Sequence, residues 1–224
     1  MLFELGISQR LLQPHNFRNY VTIDEDTLHC LTNWNFNQAS VIIISHLGNF
    51  PLAGFVASYL HIPIRTVIRK MKNPYINTYI MNFLYHGGNQ IVIKEKAYAS
   101  FQEAIENHIS PIIVSDQHAG RRALYVDFMG KKAFTAAGAP ALLRNHNIPF
   151  KYAELFRVGM FKFKFVVSEI PLPPFTDDKQ HDLETIATIM NKAHEYNIRK
   201  YPEQWFWMHR RWRDEKPEPY IKKS

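Results

Sequence analysis

Short runs of apolar, largely β-branched residues alternate with longer mixed segments from about residue 40 onward. Four of these runs are continuous and bounded by turn or polar residues, which is typical of strands buried on both faces of a sheet. They are Val41–Ser45, Ile64–Ile68, Gln90–Ile93 and Ile112–Ser115. Helical patterns occupy the segments between them, namely Pro51–Leu60, Pro74–Tyr85 and Ala97–Asn107. This alternation predicts an α/β fold with a mostly parallel central sheet and helices on both faces.

The later part of the chain has a different pattern. Two apolar segments, Phe150–Arg157 and Phe161–Ser168, flank a short turn and predict an antiparallel hairpin. The proline-rich stretch Pro171–Pro174 ends the second strand, and Asp182–Lys200 carries one apolar stripe at helical spacing. No internal repeat and no convincing linker is visible, so we expect residues 1–224 to form a single domain.

The composition limits the class of protein. Hydrophobic residues make up 46% of the 224 residues and the formal net charge is +7, which fits a globular domain and excludes a disordered chain. Cys30 is the only cysteine, which excludes a disulfide scaffold and a zinc ribbon. The apolar stretch Phe50–Ile64 is too short to span a bilayer and contains proline. The positive charge does not indicate nucleic-acid binding, because no stacking motif or recognition helix accompanies it.

The segment Ser45–Pro51 directly follows the first buried strand. Ligands of parallel α/β sheets bind beyond the carboxyl ends of the strands, which is where His46 falls. Gly48 permits a tight turn, and the next helix would direct its N-terminal amides toward the same space. A neutral imidazole there could remove a proton from an attacking hydroxyl group. The alternative is that His46 only caps or hydrogen-bonds the turn.

Three further segments follow in a fixed order. They are Arg69–Pro74, Asp116–Arg122 with Asp127–Gly130, and Pro202–Trp212. Together with His46–Phe50, they resemble the lipid A biosynthesis (lysophospholipid) acyltransferase family, whose first motif reads His-Phe-Gly-Asn-Trp-Glu after a hydrophobic strand. The resemblance extends from about Val41 to Arg213 and implies a glycerolipid-acyltransferase-like fold.

The resemblance also implies an activity in lipid A or lipopolysaccharide biosynthesis. A fatty acyl group would move from a thioester on acyl carrier protein to a hydroxyl of a lipid A precursor or related glycolipid or lysophospholipid. The reaction would take place at the cytoplasmic face of the inner membrane and use no metal or bound cofactor. His46 would be the general base. Amides near Gly48 and Asn49, or a nearby arginine, would stabilise the oxyanion.

The chain departs from the family motif at its carboxylate, because Pro51 stands where the motif has Glu or Asp. In the family this acid orients the histidine and stabilises the imidazolium. Asp116 is the best candidate to replace it, because it lies at the carboxyl end of another predicted strand; a cap or turn role is the alternative. His209 and Asp214 have the same spacing as the motif, but we attribute this to chance because the predicted context is a tail.

Several other residues are candidates for substrate binding. Arg69, Arg121 and Arg122 would contact an anionic ligand, and the alternative for each is a solvated surface position. The resemblance adds Gln117, which follows Asp116. A further segment, Thr135–Pro140, resembles a threonine-proline-arginine-glycine block, in which Thr135 and Gly138 would allow a helix start to approach the ligand or would form a helix cap. In the tail, the pattern favours core packing for Trp205 and Trp207 and an interfacial or phosphate-binding role for Arg210 and Arg211.

Two functions remain open at this point. One is a membrane-associated acyltransferase, and the other is a catalytically impaired relative that binds lipid or acyl chains without turnover. Only about 40 residues precede the histidine strand, so we expect the family's N-terminal membrane anchor to be missing and the protein to bind the membrane peripherally, through apolar surface and basic residues.

Overall fold

The computed structural model describes residues 12–68, 70–86, 89–93, 97–120 and 123–213. The strands of this part are β1 Val21–Ile23, β2 Val41–Ile44, β3 Ile64–Ile68, β4 Gln90–Ile93, β5 Ser110–Val114, β6 Leu124–Phe128, β7 Lys131–Thr135, β8 Phe150–Gly159 and β9 Lys162–Glu169. The helices are α1 Glu25–Thr32, α2 Phe50–Tyr59, α3 Pro74–His86, α4 Ala97–Glu106, α5 Gly138–His146 and α6 Lys179–Lys200.

The central sheet has seven strands in the order β1-β9-β8-β2-β5-β3-β4. The strands β8, β2, β5, β3 and β4 are parallel, whereas β9 pairs antiparallel with β8 and parallel with β1. Strands β6 and β7 form a separate antiparallel pair. The predicted α/β fold with a mostly parallel sheet is therefore confirmed.

Alternating side chains of β2 pack into two different hydrophobic clusters, one on each face of the sheet. Ile42 and Ile44 pack with residues of α2 and α3 on one face. Val41 and Ile43 pack with α4, α5 and α6 on the other face. Because both faces are covered, all four residues of β2 are buried, which explains why the strand reads as a continuous apolar run.

The predicted elements between residues 41 and 107 lie within one or two residues of the observed ones, and the predicted hairpin is present as β8 and β9. The sequence patterns do not indicate β1, α1 or the pair β6–β7. Strand β1 has only three residues, and its partner β9 lies far away along the chain, so no local pattern indicates the pairing.

The parallel strands place the turns after β2 and β5 side by side, because Ile44 lies opposite Val114 in the register. A third hydrophobic cluster, containing Leu47, Phe128 and Trp205, packs around the residues that follow these strands. Among the residues that the structure describes, none of the helices has the length and hydropathy required to cross a membrane.

Candidate active site

His46 and Asp116 form a hydrogen-bonded pair at the carboxyl edge of the sheet. His46 lies two residues after β2, and Asp116 lies two residues after its neighbour β5. The distance between His46 Nδ1 and Asp116 Oδ1 is 2.7 Å. Each residue lies two positions beyond the end of its strand, and the two strands are paired in parallel. This brings together two residues that are 70 positions apart in the chain.

Asp116 is buried, and its hydrogen bonds keep it ionised. The imidazole contacts Oδ1. The other oxygen, Oδ2, accepts hydrogen bonds from the His46 backbone N–H at 3.0 Å and from the Trp205 indole N–H at 2.8 Å. Burial by itself would raise the pKa of Asp116, but the hydrogen bond and charge of His46, with smaller contributions from His194 and Trp205, lower this pKa to about 2. The carboxylate therefore carries a negative charge at neutral pH.

The ionised carboxylate decides which nitrogen of His46 carries the proton. A carboxylate can only accept hydrogen bonds, so the neutral imidazole donates from Nδ1 and leaves the lone pair on Nε2. The His46 side chain is 24% exposed, and Nε2 has no hydrogen-bond partner among the described residues. The rings of Phe50 and Phe206 lie 4.8 and 6.4 Å from the imidazole, measured between ring centres. This arrangement can accept a proton from a ligand at Nε2.

The turn after His46 packs tightly against β8. Gly48 has a φ of +60°, and a Cβ at this position would lie 2.3 Å from the carbonyl oxygen of Leu155. The Gly48 N–H donates to Gln204 O at 3.1 Å, and the Asn49 N–H donates to Leu155 O at 2.8 Å. Both amides are thus used within the protein, and the prediction that they stabilise an oxyanion is wrong. Residues 48 and 49 instead shape the turn.

The segment after α6 completes the site, a role that its sequence pattern does not indicate. Leu47 and Trp205 form an antiparallel bridge, and the Phe206 N–H donates to His46 O at 3.0 Å. Trp205 is buried, as predicted, but its indole also holds Asp116. Trp207 contacts Trp205 edge-on and is 55% exposed, so it is only partly packed. A tryptophan pattern alone does not reveal such a hydrogen bond.

Pro51 lies in the first turn of α2, where proline is favoured, and lines an apolar cavity. The cavity has a volume of about 400 Å³ and is lined mainly by aliphatic and aromatic side chains of α2, α3 and the neighbouring strands. Ile44 and Phe50 form part of its wall next to His46, Phe83 lies deeper, and the exposed Met71 also lines it. Its size falls within the range of small-ligand sites.

The predicted arginines have different positions. Arg69, Arg121 and Arg122 lie outside the described residues, so their roles stay predictions. Arg210 is exposed. Arg211, in contrast, is fully buried.

The buried position of Arg211 contradicts the predicted interfacial or phosphate-binding role. Its Nη1 donates to Phe134 O at 2.6 Å, and its Nη2 donates to Thr135 Oγ1 at 2.7 Å. The guanidinium lies 4.7 Å from the centre of the Phe128 ring. Burial lowers the pKa of Arg211 to about 10, which leaves the side chain charged and committed to internal partners.

The structure contradicts the predicted roles of Thr135, whereas the predicted approach of a ligand to Gly138 stays a prediction. Thr135 is the last residue of β7, and its hydroxyl oxygen accepts hydrogen bonds from Arg211 and Asn191 inside the protein. It therefore forms neither a ligand contact nor a helix cap. Gly138 is the first residue of α5 and has open space beside it. Gln117 is half-buried in the loop after Asp116, and its contact with substrate stays a prediction.

One known protein family matches most of the chain. A family model described as Bacterial lipid A biosynthesis acyltransferase matches residues 15–214. The matched range contains the histidine turn, Asp116 and the segment of Trp205. No curated protein matches the chain. Among the described residues, no group of three or more His, Cys, Asp or Glu side chains could hold a metal ion.

Proposed function

The chain belongs to the bacterial lipid A biosynthesis acyltransferase family, and we propose that it transfers a fatty acyl chain from an acyl carrier protein thioester to a hydroxyl of a lipid A precursor or a related glycolipid or lysophospholipid. Membership of this family indicates acyl transfer to a lipid-like acceptor. The observation that supports an active site in this chain is the 2.7 Å contact between His46 and Asp116, with Nε2 of the same ring open to a ligand.

In the proposed reaction, His46 is the general base. Nε2 takes the proton of the acceptor hydroxyl while the oxygen attacks the thioester carbonyl carbon and forms the new C–O bond. When the tetrahedral intermediate collapses, the C–S bond breaks and the leaving thiolate receives the proton from Nε2. The products are an ester and the free thiol of the carrier, and the imidazole returns to its starting state.

Asp116 replaces the acid that the family motif places five residues after the histidine. It holds the imidazole in the tautomer that leaves Nε2 free, and it stabilises the imidazolium that forms during the reaction. The pKa of about 2 supports this role, because the carboxylate stays charged when the imidazole becomes positive. A decayed site would not be expected to retain a buried, ionised acid on the inner nitrogen of the histidine.

The apolar cavity beside His46 is the proposed site of the acyl chain. Phe50 lies between the two features, because it contacts the imidazole and lines the cavity. An acyl chain in the cavity would bring its thioester carbonyl to the cavity mouth near Nε2. Pro51 contributes apolar wall at the position where the family motif has a charged group.

The donor protein and the membrane are proposed partners. The net charge of +7 favours an acidic carrier protein and anionic lipid. Lys70 and Lys72 are exposed on either side of Met71, which lines the cavity, and Arg210 is exposed in the segment that follows the site. We propose that the protein works peripherally at the cytoplasmic face of the inner membrane, with the carrier delivering the acyl chain to this basic rim.

The pair of variants His46→Ala and Asp116→Asn tests the proposal directly. We expect His46→Ala to lower kcat by about 10²- to 10⁴-fold, because the base is lost. We expect Asp116→Asn to lower kcat by as much as about 10⁴-fold, because an amide no longer fixes the tautomer or stabilises the imidazolium. The measurement is transfer of a labelled acyl chain from carrier thioester to purified lipid acceptors.

Asp182→Asn is the matched control. Asp182 is also a buried carboxylate with several hydrogen bonds, and the distance between its Oδ2 and Arg144 Nε is 2.8 Å. This pair lies outside the proposed active site. Its loss should lower the temperature of unfolding while the folded protein keeps its kcat. An active His46→Ala protein would remove the base from the mechanism. Lipid binding without any transfer by the wild-type protein would support the alternative function, a catalytically impaired lipid binder.

A further inference from the structure

Each residue of the His46–Asp116 pair is preceded by a buried serine. Ser45 Oγ donates a hydrogen bond to Glu154 Oε2 at 2.6 Å. Ser115 Oγ lies 2.8 Å from His194 Nε2. Both serines are the first residues after their strands, β2 and β5, so they lie at the point where the chain turns toward the site.

The Glu154 side chain accepts hydrogen bonds from both the main chain and the side chain of Ser45. Oε2 accepts the Ser45 backbone N–H at 3.1 Å and the Tyr152 hydroxyl at 3.1 Å. The residue lies on β8, the neighbour of β2 in the sheet, and has no exposed surface. Burial raises the pKa of Glu154 well above its usual range, and the charge of Asp116 adds to this effect. The hydrogen bonds from Ser45 and Tyr152 to Oε2 fix the position of this side chain.

His194 contacts the serine that follows β5. It projects from α6, has no exposed surface, and its ring lies edge-on to that of Tyr152 at 5.8 Å between centres. Burial lowers the pKa of His194 to about 4, so the imidazole is neutral. Tyr152 thus contacts both Glu154 and His194 and joins the two supports. We call Ser45, Ser115, Tyr152, Glu154 and His194 the buried frame.

Two features of the buried frame are unfavourable for stability alone. Glu154 Oε1 and His194 Nδ1 are buried and have no hydrogen-bond partner among the described residues. An unpaired buried polar atom costs free energy, and apolar side chains of similar size would avoid that cost. The buried frame is therefore better explained by a role in orienting His46 and Asp116 than by a role in stability.

We propose that Glu154 and His194 are positioning residues that orient His46 and Asp116 by holding the serine before each of them. The proposal rests on the proposed function in one respect, since it takes His46 as the base. The frame has no access to substrate, so it acts only through the pair. A rotation of the main chain at Ser45 would shift the His46 ring and lengthen the 2.7 Å contact between His46 and Asp116.

Three serine-to-alanine variants compare the frame with an equivalent bond elsewhere. Ser110 Oγ accepts the Ser40 N–H at 3.0 Å at the amino ends of the same two strands, and Ser110 is also fully buried. We expect Ser45→Ala and Ser115→Ala to lower kcat about tenfold with KM changed less than about threefold. Ser110→Ala should lower the temperature of unfolding by a similar amount and leave kcat unchanged. Equal kcat values in all three variants would overturn the proposal.

Glu154→Gln and Glu154→Leu separate hydrogen bonding from packing. The glutamine keeps an oxygen acceptor for Ser45, so we expect kcat within about threefold of the wild type. The leucine fills the space without an acceptor, and we expect a fall of about 10- to 100-fold in kcat. Glutamine as damaging as leucine, or a folded leucine variant with full activity, would contradict the frame. If the leucine variant does not fold, the serine series decides.

NMR of the His46 imidazole gives a readout that does not depend on turnover. In protein with nitrogen-labelled histidine, His46→Ala identifies the ring signals, and the Nδ1 proton bound to Asp116 should resonate at low field. We expect that signal in the wild type, Ser110→Ala and Glu154→Gln, and its loss or shift in Ser45→Ala and Glu154→Leu. An unchanged signal in all variants would refute the frame. A protein that shows these shifts but no acyl transfer would instead refute the proposed function.

Discussion

At the scale of single residues, the acid that orients His46 comes from a different strand than the family motif suggests. Asp116 reaches the imidazole because β2 and β5 are neighbours and end at the same level. Position 51 therefore does not need to supply the acid. Pro51 lies in the first turn of a helix and adds apolar surface to the cavity. The loss of the motif acid and the gain of cavity wall occur at one position.

The variant Pro51→Glu tests this division of roles. If Asp116 already orients His46, a second carboxylate should give no gain in kcat. It should also raise KM for long-chain thioesters about tenfold or more, because burying a carboxylate in an apolar wall costs several kcal/mol. Pro51→Ala, which removes the ring without adding charge, should change KM only slightly. A large gain in kcat with Pro51→Glu would show that the natural chain lacks an effective acid. Steady-state kinetics with thioesters of different chain length provides the measurement.

At the scale of elements, the site depends on how closely the turn after β2 approaches β8. Gly48 combines a left-handed conformation with a close contact to the main chain of Leu155, and its N–H bonds to Gln204. The turn is therefore fixed from two sides, by a strand of the sheet and by the segment after α6. This packing uses the Gly48 and Asn49 amides, which the sequence predicts as donors to the oxyanion.

Gly48→Ala should disturb both stability and activity. The positive φ alone costs about 1–2 kcal/mol for a residue with a side chain, and the contact with Leu155 O at 2.3 Å adds to it. Gly130 is a matched control, because it has a φ of +80° but open space around it. We expect Gly48→Ala to lower the free energy of unfolding by more than Gly130→Ala does and to lower kcat. Equal losses in chemical denaturation would indicate that the turn can move away from β8.

At the scale of the whole molecule, exposed apolar side chains lie near the carboxyl edge of the sheet. Tyr75 and Ile76 are in the first turn of α3, which follows β3. Phe206, Trp207 and Met208 follow Trp205, and the Phe206 ring lies 6.4 Å from that of His46. Exposed aromatic and aliphatic groups beside lysines and arginines are typical of surfaces that bind the headgroup region of a membrane.

Liposome flotation tests this surface. We expect the wild type to float with vesicles that contain anionic lipid, and binding to weaken as the salt concentration rises. The double variant Tyr75→Ser with Met208→Ser should lose most of this binding, because the two side chains are 84% and 83% exposed. Leu28→Ser is the control, since Leu28 is an exposed leucine on α1, which packs against β9. Equal flotation of all three proteins would place the membrane contact elsewhere.

The elements that the sequence predicted best are those with strong local patterns. Strand β2 is apolar because helices cover both faces of the sheet, and that burial leaves a direct record in residue type. The prediction that Gln90–Ile93 is buried on both faces is wrong, because β4 lies at the edge of the sheet and both of its end residues are exposed. The position of His46 beyond a strand end follows from the same pattern. Short edge elements such as β1 leave a weaker record, because their stability comes from a distant partner.

The sequence by itself determined the parallel sheet, the family and the place of His46, because these depend on periodicity and on motifs that are continuous in the chain. Only the tertiary structure decided which carboxylate serves His46, which amides are already bonded, and that Arg211 is internal. The physical reason is that hydrogen bonds act over about 3 Å between atoms that the fold brings together. Asp116, Trp205 and Glu154 converge on the histidine turn from three separate elements, and their spacing along the chain contains no measure of that distance.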